Sequence, residues 1–272
     1  MYKLAKNYNI DVSLFERFVK NDFPSVRLNI QVNCRANSFY SHCLMRSFQH
    51  RMRPEICQLM THFYSDLQNH KSVLTDRPNM IGVTHNLYFI NHNHPEEMIA
   101  EGNSKQNVFE AEYVIALAHF LLKQGYDKSQ LTILVMYMGQ RALISRLMKA
   151  SPHQKILQGV RVNVTDSYQG EENDIILLSL VRSNNRSNTI GFLKIHNRIC
   201  VALSRARCAM FIVGNLDFLM EHEDMWKKIS GTLVQLNAVG KGERRRDLKY
   251  CPMDSALRMP RSTSLLFTTS GQ

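Results

Sequence analysis

The sequence predicts an α/β fold: a largely parallel sheet covered by helices on both faces. Three observations predict it. The runs "LTILVMY" (131–137), "IILLSLV" (175–181) and "CAMFIVG" (208–214) are too continuously apolar to have a solvated face, which marks central strands buried on both sides. Segments of helical spacing lie between these runs. Strand and helix therefore alternate, the pattern that parallel sheets with crossover helices produce.

The elements follow in order. In "NVFEAEYVIALAHFLLKQG" the residues Ala111, Val114, Ile115, Ala118, Leu121 and Leu122 fall on one helical face, and Gly125 stands where such a helix would stop. The buried strand Leu131 to Tyr137 comes next. "QRALISRLMKA" reads as a helix with Leu143, Ile144, Leu147 and Met148 inward, and "VRVNV" as a strand on Val160, Val162 and Val164. The buried strand from Asp174 follows, then a helix around Arg198 to Arg207, and a last strand ending at Gly214.

Composition narrows the function. The chain has 272 residues, 44% of them hydrophobic, enough for one large domain or two small ones. Its net charge of +11 points to an anionic partner, of which nucleic acid is the commonest, with a merely soluble basic surface as the plainer alternative. The cysteines Cys34, Cys43, Cys57, Cys200, Cys208 and Cys251 show no two-residue spacing of the kind that zinc knuckles and redox pairs need. That suits a reducing compartment. "MYKLAKNYNIDVSLFERF" lacks the apolar core of a signal peptide, and no apolar run approaches the length of a membrane span. A cytoplasmic protein is expected, with the nucleus open and secretion excluded. His92 and His94 in "NHNHP" lack nearby Cys or carboxylate ligands in the sequence and read as a polar loop, so no metal site is expected.

The most unusual stretch is "VTDSYQGEENDIILLSLVRSN", in which a polar cluster precedes the most apolar strand. It places that cluster at a sheet edge, where ligands bind in open α/β folds.

Read with "HRMRPEI" (50–56) and "NRICVALSRAR" (197–207), this stretch resembles the motor of superfamily-one RNA helicases of the nonsense-mediated-decay type. The resemblance runs from about Ser13 to Met220. Within that superfamily, "LFERF" ahead of "VRLNIQ", together with "NRICVALSRAR", is similar to the NFX-type zinc-finger-containing helicases of antiviral defence.

The resemblance implies a RecA-like C-terminal motor domain. Arg51 and Arg205 match the family's two γ-phosphate arginines, the second read as lying in the "SRAR" helix. Gln169 and Gly170 match the turn that joins the nucleotide site to the nucleic-acid track, and Glu172 the carboxylate that meets the ribose. Thr165, Arg182 and Ser183 are the implied contacts to the bound strand, and Asp166 a loop anchor through backbone or arginine contacts. The implied ligands are ATP and magnesium, held mainly by an N-terminal RecA-like domain whose motifs this sequence lacks. Single-stranded RNA is the implied partner, with DNA open.

Departures are as informative. Glu171 stands where relatives are commonly basic, and Cys200 where many carry Asn. No G-x-x-x-x-G-K followed by Ser or Thr occurs in the sequence, so no phosphate-cradling loop is encoded, nor is an acidic pair after an apolar strand to hold magnesium. The chain by itself is expected not to hydrolyse ATP at a useful rate. It reads as a truncated or alternatively spliced product, either half of a helicase motor or a non-catalytic nucleic-acid-binding decoy. The expected organisation is the start of the RecA-like domain over 1–31, an inserted loop over 32–49, the domain body over 50–220, a trailing helical segment over 221–242 and a disordered tail over 243–272. "RRR" (244–246) in that tail reads as a solvated charge run, with phosphate attraction as the alternative.

Overall fold

A computed structural model describes residue 21 and residues 47–241, apart from 65, 99–103 and 184–188. The start of the domain over 1–31, residue 21 apart, the segment 32–46 and the tail over 243–272 lie outside the described residues.

The chain enters through β1 (Ser47–Gln49), α1 (Pro54–Met60), β2 (Leu67–Asn69) and the short α2 (Ser72–Thr75). β3 (Leu87–Asn91) follows, then a small hairpin of β4 (Glu97–Met98) and β5 (Lys105–Gln106). The alternating body comprises α3 (Val108–Lys123), β6 (Leu131–Val135), α4 (Met138–Ala150), α5 (Gln154–Leu157), β7 (Arg161–Val164), β8 (Asn173–Ser179), α6 (His196–Leu203) and β9 (Ala206–Gly214). α7 (Leu216–His222), α8 (Asp224–Gln235) and β10 (Val239–Lys241) close the domain.

Six strands form one parallel sheet in the order β10-β3-β9-β8-β6-β7. β8 and β9 are central, as their uniform hydrophobicity requires. Alternation within them splits the core: Ile176, Leu178, Met210 and Ile212 pack toward α1, α6 and α8, whereas Ile175, Leu177, Phe211 and Val213 pack toward α3 and α4. Helices on both faces are therefore built into the period of two. α3 begins at Asn107, whose side chain accepts a hydrogen bond from the Glu110 N–H, and is followed by Gly125 at φ +98°.

One strand is new and three expectations are corrected. β3, sandwiched between β9 and β10, has no counterpart in the sequence reading, because "LYFIN" is short and runs into the polar "NHNHP". His92 in that polar stretch is buried, its Nε2 lying 3.1 Å from the Glu110 carboxylate. Residues 47–49, read as the end of an inserted loop, form β1, which pairs in parallel with β2. The segment 221–242 is not only helical, since it ends in β10, a full member of the main sheet.

Among the described residues no helix is long and apolar enough to cross a membrane.

Candidate functional site

The polar residues ahead of the central strands gather at one edge of the sheet. Glu172 directly precedes β8 and Arg205 directly precedes β9, so both sit at the amino ends of parallel strands, not at the carboxyl ends where ligands of open α/β sheets usually lie. Arg51 arrives from a different direction. It follows β1, and the next turn is docked onto β9 by the Arg53 N–H, which donates to the Arg207 carbonyl at 3.0 Å.

Arg51 and Arg207 meet around Glu172. The Arg51 guanidinium pairs with the Glu172 carboxylate and donates to the Ser204 carbonyl at 3.1 Å. Arg207 reaches Glu172 at 3.7 Å and is held more closely by Asp174, at 2.7 Å. Arg205 is buried and each of its nitrogens makes one hydrogen bond: its Nε donates to the Val201 carbonyl at 2.8 Å, Nη1 to the Glu171 carbonyl at 3.0 Å and Nη2 to the Ser204 hydroxyl at 2.7 Å. Burial, and then the neighbouring positive charge of Arg51, pulls the Arg205 guanidinium below its ordinary value.

Arg205 is not in a helix. α6 ends at Leu203, where the Ser204 N–H turns back to the Cys200 and Val201 carbonyls, and the guanidinium folds over that last turn. Cys200, on the same helix, donates its thiol to the Tyr64 hydroxyl at 3.6 Å, and burial raises its pKa.

Gln169 and Gly170 form an exposed turn. Gly170 has φ +86°, with open space where a Cβ would stand, so the glycine is required by backbone conformation and not by room for a side chain. Gly170→Ala is expected to cost about 1 kcal/mol, a fall of roughly 2–4 °C in melting temperature. Thermal unfolding followed by circular dichroism measures it, and an unchanged midpoint would refute the strain.

Thr165, Arg182 and Ser183 lie at the opposite, carboxyl edge, and all three are buried. The Thr165 hydroxyl donates to the Val135 carbonyl at 3.2 Å. Arg182 pairs with Glu96 at 3.3 Å, and the Ser183 hydroxyl accepts from Asn215 at 2.9 Å. The side chains expected to touch a nucleic-acid strand are thus committed to internal partners, because the turn after β8 is folded under the Glu96 segment. Asp166 makes the arginine contact expected of it, with Arg198 at 2.9 Å.

Two residues that the sequence reading did not assign hold Arg51 in place. Gln49 is buried, and its side-chain oxygen accepts from the Arg51 N–H at 3.0 Å and the Met52 N–H at 2.7 Å, while its amide donates to the Met52 carbonyl at 2.6 Å. Arg77 donates to the Arg51 carbonyl at 2.8 Å and the His50 carbonyl at 3.1 Å. Gln49 stands in the quoted motif's flank and was legible in principle; nothing in the sequence singles out Arg77. Gln49→Leu leaves these backbone groups without their partner and is expected to destabilise the domain by about 2 kcal/mol in urea unfolding. A cost below about 0.5 kcal/mol, the level of an ordinary surface substitution, would show that the loop does not depend on the amide.

Among the described residues no group of three or more His, Cys, Asp or Glu side chains is placed to hold a metal ion. A parallel sheet of this topology with helices on both faces defines a RecA-like α/β domain. A family model described as an AAA domain matches residues 10–217, and the chain belongs to that family. Human NFX1-type zinc finger-containing protein 1 is 49% identical over 241 residues, which is 88% of this chain and 11% of that protein. The helicase required for RNAi-mediated heterochromatin assembly 1 of Schizosaccharomyces pombe is 34% identical over 228 residues, 84% of this chain and 21% of that protein. The regulator of nonsense transcripts 1 homolog of Drosophila melanogaster is 32% identical over 238 residues, 84% of this chain and 18% of that protein. The chain thus spans a fifth or less of the length of the human and Drosophila relatives, and about a fifth of the yeast one.

Proposed function

We propose that this chain is the second half of an ATP-dependent nucleic-acid helicase motor, which supplies Arg51 and Arg205 to a nucleotide held by a separate P-loop domain. One observation carries the reading. Two guanidinium groups are brought together at a partly buried edge, where burial and then the charge of Arg51 lower the pKa of Arg205, a strain that a bound anion would relieve. Among the described residues three guanidinium groups, of Arg51, Arg205 and Arg207, stand at this edge against two carboxylates, Glu172 and Asp174, and the excess positive charge suits a polyphosphate.

In this reading each residue takes a role that its position allows. Arg51 and Arg205 are the donors that would neutralise charge developing on the transferred phosphoryl group, with guanidinium suited to it by its planar, permanently protonated fork. Glu172 orients Arg51 and would accept from a ribose hydroxyl. The exposed turn at Gln169 and Gly170 would carry the change toward the strand-binding edge. Magnesium has no ligand set among these residues and would belong to the P-loop domain. The strand itself, RNA by likeness to the relatives named above, would run along the carboxyl edge.

A non-catalytic binding fragment is the second reading, and one observation favours it: every donor nitrogen of Arg205 is already engaged by the chain itself. A P-loop motor domain of a superfamily-one helicase, supplied in trans, separates the two. If this chain raises RNA-stimulated ATP turnover, the motor reading stands; if turnover is unchanged while RNA is still bound, the binding reading replaces it.

A further inference from the structure

The carboxyl edge carries an assembly that the nucleotide chemistry leaves unused. Tyr137, just beyond β6, stacks on Phe192 with ring centroids 5.2 Å apart and planes 27° from parallel. The Arg198 guanidinium lies over the Phe192 ring, its central carbon 4.0 Å from the centroid. Asp166 holds that guanidinium from the side at 2.9 Å.

The stack is built, not incidental. Gly191 adopts φ +58°, and a Cβ there would stand 2.7 Å from the Tyr137 hydroxyl oxygen. Only glycine lets Tyr137 lie beneath the next residue's ring. Tyr137 is buried, whereas Phe192 remains 42% exposed. Met138 and Ile195, the chain neighbours of this assembly, are also exposed.

We propose that Tyr137, Phe192 and Arg198 form a stacking platform for an unpaired nucleobase, an inference that rests on the single-strand binding proposed above. A guanidinium is planar, weakly hydrated and able to stack, and the Arg198 side chain, although its Nη1 is buried, keeps 28% of its surface exposed beside the Phe192 ring, where a base can extend the stack. Asp166 fixes its edge and balances its charge. The pair therefore does little for a phosphate, which the partly exposed carboxylate would repel, but leaves a flat face for a base. The site is a base site and not a phosphate site.

The test compares two fluorescent strands of equal length and charge, an oligoadenylate and an abasic strand, binding to the full chain. Wild type is expected to bind the oligoadenylate about tenfold more tightly, within the range that stacking on one platform supplies. Arg198→Lys keeps the charge and loses the plane, so it should erase the preference while leaving abasic-strand affinity unchanged. Phe192→Leu is expected to do the same, and thermal melting of both variants shows that they are folded. Equal binding of both strands by wild type, or a preference retained in folded Arg198→Lys and Phe192→Leu, overturns the platform alone. Binding of neither strand overturns the nucleic-acid reading as well.

Discussion

Arg205→Ala is expected to lower ATP turnover of the motor assembled in trans by about 10³-fold or more, the effect typical of removing an arginine finger. A loss of that size equals roughly 4 kcal/mol of barrier. The structural cost should be much smaller. The variant gives up three hydrogen bonds but also removes the like-charge contact with Arg51, and the Glu171 carbonyl, in an exposed segment, can turn to water. We expect a loss of about 1–2 kcal/mol in stability, so turnover per folded molecule isolates the chemical effect. Arg205→Lys should rescue little, because one ammonium cannot span the Val201 carbonyl, the Glu171 carbonyl and a phosphate at once. A reduction under tenfold in single-turnover hydrolysis would remove Arg205 from the proposed machinery.

The largest expected stability effect lies elsewhere, at Glu110. This carboxylate is buried in the first turn of α3 and ties the end of β8 to the helix. One oxygen accepts from the Ser179 hydroxyl at 2.6 Å and the Val181 N–H at 2.8 Å; the other lies 3.1 Å from His92 Nε2. Val181 has φ +73°, a strained value for a β-branched residue, and the Arg182 N–H closes a three-residue turn onto the Leu180 carbonyl at 2.8 Å. Glu110→Ala strips three buried groups of their partner and frees that strain. The expected cost is about 3–5 kcal/mol, a melting point lower by roughly 10 °C. Glu110→Gln can aim its oxygen at Ser179 and Val181 and its amide at the imidazole, and should cost about 1 kcal/mol. Similar midpoints for the two variants in urea would contradict this account.

The parts of the fold legible in the sequence were those written in long apolar runs. β6, β8 and β9 and the helix α3 announce themselves because burial on both sheet faces forces uninterrupted hydrophobicity, and helical burial forces a repeat. β1, β3 and β10 were missed for a common reason. β1 and β10 are three residues long without an apolar run, and the short apolar run of β3 leads straight into polar residues, so their strand state is set by the neighbour they pair with. In the site, the motifs located Arg51, Glu172, Gly170 and Arg205. They gave no account of Arg77, whose contact with Arg51 crosses the chain, or of the burial of Arg182, which depends on Glu96 in a distant loop. Motifs record which side chains stand near one another in sequence; burial is decided by segments that motifs do not contain.

The run 165–172 leaves the carboxyl edge beside Asp166 and reaches the amino edge at Glu172, while α6 makes the same crossing from Arg198 to the turn that holds Arg205. Asp166 grips Arg198 at one end, and Glu172 grips Arg51 at the other. These two connectors lie alongside a strand that spans about 23 Å at the usual rise per residue. They act as a pair of tie rods: two backbone segments, each fastened to an arginine at its end, brace the amino and carboxyl edges at one separation, with no side chain having to span the distance between.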